Sequence, residues 1–123
     1  MIDKLAYLPF IFVGGGIGAS LRWSVSLVTL ELGAPLWGAT LFVNGLGTLL
    51  YFLSIRFGLN DLAWHQHFLR VGIMGSLTTF STFSYEVFSA AKSGQTMQAA
   101  VIFGLNILTG IIIAVGKIGR AHV

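Results

Sequence analysis

Three long stretches of this chain contain no Asp, Glu, Lys, Arg or His residue, and they constrain the fold more than any other feature. They cover residues 5–21, 32–55 and 97–116. Each approaches or exceeds the roughly 18 apolar residues that can cross a hydrocarbon core about 30 Å thick. The stretches therefore predict membrane-spanning helices.

The overall composition agrees with a membrane protein. Of the 123 residues, 55% are hydrophobic and 9% are charged. A soluble domain draws about a quarter of its residues from Asp, Glu, Lys and Arg, so this chain has too little charge to cover a water-facing surface. It has no cysteine, which excludes disulfides, thiolate nucleophiles and cysteine metal sites. The first apolar run is longer than a signal-peptide core and lacks a convincing cleavage site, so we expect it in the mature protein.

The sequence predicts an all-α membrane protein with one domain over residues 1–123 and four transmembrane helices. The predicted helices cover residues 5–30, 35–56, 68–91 and 96–115, with a turn at 31–34 and a polar loop at 56–67. The middle of the third helix, residues 75–79, reads Gly-Ser-Leu-Thr-Thr. At membrane depth such a stretch survives as a break only where protein or water satisfies the backbone, so we expect the third helix to be broken and buried there. Gly94 is expected to cap its C-terminal end.

Basic residues lie mostly where the predicted spans end, so headgroup contacts and topology explain the net charge of +3 better than nucleic-acid binding does. One side of the membrane carries five of them, whereas Lys92 lies on the other side and Arg22 lies inside a span. The positive-inside rule then favours both termini in the cytoplasm. The five residues are Lys4, Arg56, Arg70, Lys117 and Arg120.

Two polar residues lie inside predicted spans. Arg22 falls in the last turns of the first helix, and an intramembrane charge indicates a functional residue by default. The alternative is that its side chain snorkels to the interface, and the spacing favours neither. Asn44 lies well inside the second helix, where a lone amide ordinarily makes a hydrogen bond between helices.

A run of hydroxyl and phenyl groups follows the predicted break. Phe80 and Phe83 are neighbours on one helical face. One or two of the hydroxyls would bond back to their own helix, but five in seven residues exceed that ordinary role. Hydroxyl and amide groups are donors and ring edges are electropositive, so the cluster suits a small, hard anion. Glu86 lies one turn beyond Phe83. It is either a residue that faces water at the mouth of the path or a relay for protons or anions. The hydroxyl residues are Thr78, Thr79, Ser81, Thr82 and Ser84.

Three motifs carry a family resemblance. The most specific covers residues 75–86, with the core Thr-Thr-Phe-Ser-Thr-Phe-Ser; the others are Gly-x-x-Leu-Arg-Trp at 18–23 and Thr-x-x-Val-Asn at 40–44. With these motifs the chain resembles the Fluc (CrcB) family of bacterial fluoride channels along essentially its whole length. The resemblance implies a passive channel of the bacterial inner membrane that exports fluoride. It also implies an antiparallel dual-topology homodimer with two separate pores at the subunit interface.

The resemblance further implies roles for particular residues. Phe80 and Phe83 would contact fluoride through their ring edges, and Asn44 would be a donor lining the pore. The backbone carbonyls of Gly75 and Thr78 would hold a structural sodium ion at the dimer two-fold axis. The remaining predicted pore residues are Arg22, near a vestibule, Ser81, Thr82 and Ser84, along a polar track, and Thr40, Thr79, Glu86 and Asn106.

The chain also differs from the family's usual pattern. Asn106 lies one turn after a fourth-helix position that is often tyrosine in the family. The uneven distribution of basic residues differs from the balanced flanks that dual insertion favours. Either Arg56 and Arg70 lie too far from the membrane ends to count, or the chain pairs with an oppositely biased relative as a heterodimer. The differing positions are Ala39, Ser76 and Ile102, where the family usually has glycine, glycine and tyrosine.

Other functions compete with this interpretation. A proton-coupled small multidrug exporter is also a four-helix dual-topology protein, but it needs a membrane-centred carboxylate, and Glu31 and Glu86 lie nearer the span ends. A structural subunit without transport activity predicts that changing Asn44 or Phe80 leaves fluoride tolerance intact. An enzyme is disfavoured because the three histidines lie in the loop and at the tail without acidic partners.

Overall fold

The computed structural model describes residues 1–59 and 61–118, with side chains described up to residue 116. Every regular element in this part of the chain is helical. Position 60 and the C-terminal positions 119–123, which include the predicted flanking residue Arg120, lie outside the described residues. A 3-10 helix, Ile2–Tyr7, leads into α1, Leu8–Glu31, which is followed by α2, Leu36–Arg56. The third helix, residues 63–77, is called α3, although its middle part, Gln66–Met74, is π-helical. It is followed by α4, Phe80–Lys92, and α5, Thr96–Ile118.

Three of the described helical stretches are long and apolar enough to cross a membrane. They are Ile2–Glu31, Leu36–Arg56 and Thr96–Gly116. Large apolar side chains such as Phe12, Val28 and Ile112 cover their outer surfaces, with exposed fractions of 84%, 58% and 67%. A water-soluble monomer rarely exposes contiguous apolar surface on this scale, so these faces fit contact with lipid or with another subunit.

The predicted boundaries of the first, second and fourth helices agree with the structure to within three residues. The predicted loop at 56–67 is wrong in its second half, because α3 begins at Ala63. The rings of Tyr7 and His67 stack with centroids 4.3 Å apart, and those of Phe10 and Trp64 lie 5.9 Å apart. Through these contacts with the N-terminal part of the chain, Trp64 and His67 pack as part of a helix. The polarity of the segment alone indicates a loop.

Two residues with extended backbone separate α3 from α4. Thr78 has φ −78° and ψ 151°, and Thr79 has φ −147° and ψ 118°. The sequence predicts the helix break at residues 75–79, but Gly75 begins a helical turn that continues to Leu77. The extended stretch is therefore confined to two β-branched threonines, whose side chains favour that backbone conformation. Within this stretch Thr79 is buried, with 9% of its surface exposed, and Thr78 is half-buried.

Close packing of α1 against α3 depends on glycines. Gly14 and Gly18 are buried in α1. A Cβ atom at Gly14 would overlap the carbonyl oxygen of Phe68, and one at Gly18 would overlap the hydroxyl of Ser76. A Cβ atom at Gly72 of α3 would lie 2.9 Å from the Cα atom of Gly14. Small residues allow helix backbones to approach closely in membranes, so this face of α1 is a packing surface.

The other helices pack on α5. Phe83 and Ala90 of α4 form a buried cluster with Ala99 and Ile102 of α5. α2 also packs against α5. A Cβ atom at Gly47 of α2 would overlap the methyl group of Thr78. The middle of α2 therefore lies directly against the extended stretch between α3 and α4.

Gly94 ends α4 as the sequence predicted. Its φ of 82° is in the left-handed region that favours glycine. The amides of Gly94 and Gln95 donate to the carbonyls of Ala91 and Ala90 at 3.2 and 2.9 Å. These bonds satisfy carbonyls in the last turn of α4 and direct the chain into α5.

Candidate functional site

Asn44 of α2 holds the extended backbone between α3 and α4. Its Oδ1 accepts a hydrogen bond from the amide of Thr79 at 2.7 Å, and its Nδ2 donates to the carbonyl of Thr79 at 3.2 Å. Backbone polar groups away from water need partners, and an extended residue between two helices has lost its helical ones. The side-chain amide of Asn44 replaces both partners at once.

Asn106 of α5 extends this network. Its Oδ1 accepts from Nδ2 of Asn44 at 3.0 Å, and its own Nδ2 donates to the carbonyl of Ile102 at 2.9 Å. An amide group has two N–H donors, so both donors of Asn44 are engaged with Thr79 and Asn106. Within the described residues, Nδ2 of Asn106 makes one hydrogen bond and has a second N–H to offer.

The hydroxyl of Thr79 organises the start of α4. It accepts from the amide of Thr82 at 3.2 Å, as an N-cap, and donates to the hydroxyl of Thr82 at 3.1 Å. The hydroxyl of Ser81 lies 3.3 Å away. Thr78 behaves differently, because its hydroxyl donates back to the carbonyl of Met74 at 3.0 Å. The five predicted hydroxyls therefore have different roles, and only that of Thr78 bonds back to its own helix in the way expected of a buried threonine.

Two phenyl rings flank this network. The centroids of Phe80 and Phe83 are 5.8 Å apart, with the planes at 52°. Phe83 is 6% exposed and stacks on Phe103 of α5 at 6.1 Å. Phe80 is 78% exposed. One ring is thus anchored in the core of the chain, while the other projects from it.

A cavity of about 280 Å³ brings these groups together. Its wall combines amides, hydroxyls and phenyl groups, and no ionisable side chain is among the described residues that line it. Such a wall offers donors and ring edges to a small ligand without fixing a charge beside it. The lining residues are Asn44, Thr48, Thr78, Thr79, Phe80, Phe83, Asn106 and Ile107.

A second polar contact lies one helical turn from the cavity along α2. Thr40, which is 5% exposed, donates from its hydroxyl to Oε1 of Glu86 at 2.7 Å. Oε2 of Glu86 is buried and has no hydrogen-bond partner within the described chain. Glu86 also lines a smaller cavity of about 170 Å³ with Trp37 and Tyr85. Thr40 and Asn44 are four residues apart, so they lie on the same face of α2.

The structure divides the predicted pore residues into groups. Asn44, Thr79, Phe80, Phe83 and Asn106 line the larger cavity together, and Thr40 contacts Glu86 beside it. Four other predicted residues line neither cavity. They are Arg22, Ser81, Thr82 and Ser84.

Arg22 is half-buried in α1, and its Nε is buried without a hydrogen-bond partner in the described chain. Two residues that line the cavity at Asn44 are not among those predicted from the sequence. Thr48 lies one turn after Asn44 and donates to its carbonyl at 2.7 Å, so helical spacing was a signal for it. Ile107 carried no such signal, because an isoleucine in a lipid-facing span and one beside a cavity look alike in sequence.

Comparison with known proteins decides the family. The family profile described as CrcB-like protein, Camphor Resistance (CrcB), matches residues 9–118. A protein of Hyphomonas neptunium named fluoride-specific ion channel FluC is 41% identical over 110 residues, covering 82% of this chain and 84% of the relative. The chain belongs to the CrcB family. Proteins with the same name from Aquifex aeolicus and Thermus thermophilus are 38% and 35% identical, over 80% and 85% of this chain and 83% and 86% of theirs.

CrcB membership confirms the resemblance that the three motifs indicated. It makes the chain a multi-pass transport protein of the bacterial inner membrane and not an enzyme. In this CrcB chain Ile102, at the position predicted to differ from the family, is 1% exposed and packs in the core. Its carbonyl accepts from Asn106, so the polar group of α5 that reaches the cavity is the Asn106 amide one turn later.

Proposed function

We propose that this CrcB protein is a fluoride-selective channel that lets cytoplasmic fluoride leave the cell passively. The observation that carries the proposal is the cavity between α2, α4 and α5, where the Asn44 network meets Phe80 and Phe83. The relatives named fluoride-specific ion channel FluC support the choice of ion. No bond is made or broken, so the protein has only to replace the hydration shell of the ion along its path.

Fluoride suits this wall because it is small and accepts strong hydrogen bonds. Asn106 has a donor to offer, and the hydroxyl of Thr79 on the same wall can rotate toward an ion. The edges of phenyl rings are electropositive, so Phe80 and Phe83 add favourable contacts without adding a full charge.

We further propose that the pore is completed by a second copy of the chain, oriented antiparallel. Phe80 lines the cavity yet is 78% exposed, so a single chain leaves one wall of the site open.

A structural sodium ion at the dimer axis completes the proposal. In a continuous helix the carbonyls of Gly75 and Thr78 would accept from the amides of Thr79 and Thr82. Here the Thr79 amide donates to Asn44 and the Thr82 amide donates to the hydroxyl of Thr79. Two carbonyl oxygens are thereby left without their helical donors, and carbonyl oxygens suit a hard cation. The ion would supply positive charge near the anion path.

Fluoride efflux from liposomes that contain only this purified chain tests the function. We expect fluoride to leave down its gradient, in either direction and without a proton gradient, while chloride is retained. Equal fluoride and chloride fluxes would contradict the selectivity. Fluoride movement that requires a proton gradient would indicate a coupled transporter instead.

Site-directed labelling tests the dual topology. The chain has no cysteine, so Gln95→Cys introduces a single thiol in the exposed turn between α4 and α5. If both orientations insert, about half of the copies in intact cells react with a membrane-impermeant maleimide and the rest react only after permeabilisation. Labelling of all copies from one side would refute dual topology for this chain.

A further inference from the structure

A second cavity, lined mainly by apolar surface but with Tyr51 and Arg70 among its walls, adjoins the cavity at Asn44. Its volume is about 350 Å³, and Thr48 and Thr78 line both cavities. The two cavities are therefore neighbours that share a wall of two threonines. Arg70 is the charged residue among the described residues that line it, and no carboxylate is among them. The lining residues are Gly47, Thr48, Tyr51, Phe52, Arg70, Met74, Gly75 and Thr78.

Arg70 and Tyr51 form a close pair in this second cavity. Nη2 of Arg70 donates to the hydroxyl of Tyr51 at 2.5 Å. The guanidinium carbon also lies 4.5 Å from the centre of the same ring. A guanidinium is always charged and stacks on aromatic faces, so the pair fixes a positive charge beside the phenol.

Among the hydroxyl groups that line this cavity, the phenol of Tyr51 is the one whose hydrogen makes no hydrogen bond within the described chain. The hydroxyls of Thr48 and Thr78 donate to the carbonyls of Asn44 and Met74 at 2.7 and 3.0 Å. The Tyr51 oxygen instead accepts from Arg70, and in the described chain its own O–H donates to no acceptor. Accepting a bond from a cation polarises an O–H group and strengthens it as a donor.

We propose that Tyr51 and Arg70 form a second anion site, from which fluoride passes between Thr48 and Thr78 to the Asn44 cavity. The inference rests on the proposed channel function and adds a binding step to it. The Tyr51 O–H donates to the ion, and the Arg70 charge raises the local anion concentration. Arg70 contributes its positive charge and its hydrogen bond to Tyr51, and the site needs no further hydrogen bond from it. Fluoride is the occupant because the neighbouring cavity, which shares the wall, lies on the proposed fluoride path.

Flux at low and saturating fluoride tests the role of the pair. Tyr51→Phe keeps the ring and removes the donor, and Arg70→Gln removes the charge. We expect each change to raise the half-saturating fluoride concentration about tenfold, the usual effect of losing a hydrogen bond to a charged group. Flux at saturating fluoride should stay within about twofold of the original, because the Asn44 cavity is intact. Tyr7→Phe keeps the ring that stacks on His67, Arg56→Gln alters an exposed residue, and neither residue lines a cavity at Asn44, Glu86 or Tyr51, so both serve as matched controls.

A binding measurement separates the site from the channel function. The protein has three tyrosines, so in a Tyr7→Phe, Tyr85→Phe background 3-fluorotyrosine labels position 51 alone. We expect its ¹⁹F resonance to shift and saturate with sodium fluoride, to respond less to sodium chloride, and to need about tenfold more fluoride in Arg70→Gln. A shift without flux would uphold the site and refute the channel. Flux with no saturable shift, or a shift unaffected by Arg70→Gln, would refute the site.

Discussion

Asn44→Asp is expected to abolish fluoride flux in reconstituted liposomes while the protein still inserts and purifies normally. The carboxylate occupies the same space and can still accept from the amide of Thr79, but it cannot donate to the carbonyl of Thr79 or to Asn106. It also places negative charge at the wall of the cavity. An added barrier of about 2.7 kcal/mol lowers the flux by about a hundredfold, and repulsion between the carboxylate and the fluoride ion at close range exceeds that.

Gln95→Glu is the matched control for this change. It makes the same amide-to-carboxylate replacement in the exposed turn after α4, and it should leave flux unchanged. Fluoride flux through the Asn44→Asp protein at the level of the control would mean that the ion does not pass the Asn44 cavity. A measurement of thermal stability for both variants separates lost flux from lost folding.

Phe80→Ile is expected to reduce fluoride flux by about a hundredfold, equivalent to about 2.7 kcal/mol on the barrier. Isoleucine is apolar but has no electropositive ring edge to offer an anion. Because Phe80 is 78% exposed in the chain, its replacement should hardly change the packing of a single subunit. Loss of flux with unchanged secondary structure and subunit packing would therefore identify the ring as part of the ion path.

Phe88→Ile provides the comparison for Phe80. Phe88 lies on the same helix and is 62% exposed, but it does not line the Asn44 cavity. We expect near-normal flux from this variant. If Phe80→Ile and Phe88→Ile conduct fluoride equally well, the Phe80 ring lies outside the path. Growth in fluoride gives a second measurement. Cells whose channel is the Phe80→Ile variant should lose fluoride tolerance, whereas cells with the Phe88→Ile variant should keep it.

Much of the candidate site could be predicted from residue type and spacing. Asn44, Phe80 and Phe83 were expected beside one path, and the structure brings all three to one cavity. The prediction was less informative about the hydroxyls, because Ser81 and Ser84 lie outside the cavity lining although they belong to the same run. Helical periodicity determines the face of the helix on which a hydroxyl lies. Which part of the protein that face contacts depends on tertiary packing.

The importance of Tyr51 and Arg70 was invisible in the sequence for the same reason. The sequence places Arg70 among the basic residues near the span ends, but it does not reveal that Arg70 stacks on Tyr51, which is 19 residues away in the chain. The predicted polar loop at 56–67 likewise became partly helical through contacts with Tyr7 and Phe10. A local window of sequence contains no information on such partners.

The sequence by itself determined that this protein consists of apolar helices in a bilayer, since uncharged stretches of that length are stable only where water is absent. It also determined where the polar groups capable of meeting an anion lie along those helices, and to which family the chain is similar. Only the tertiary structure decided that Asn44 binds the backbone of Thr79, 35 residues away, and the amide of Asn106, 62 residues away. Those pairings arise from the packing of α2 against α5 and the extended stretch, which brings together residues that no helical period relates.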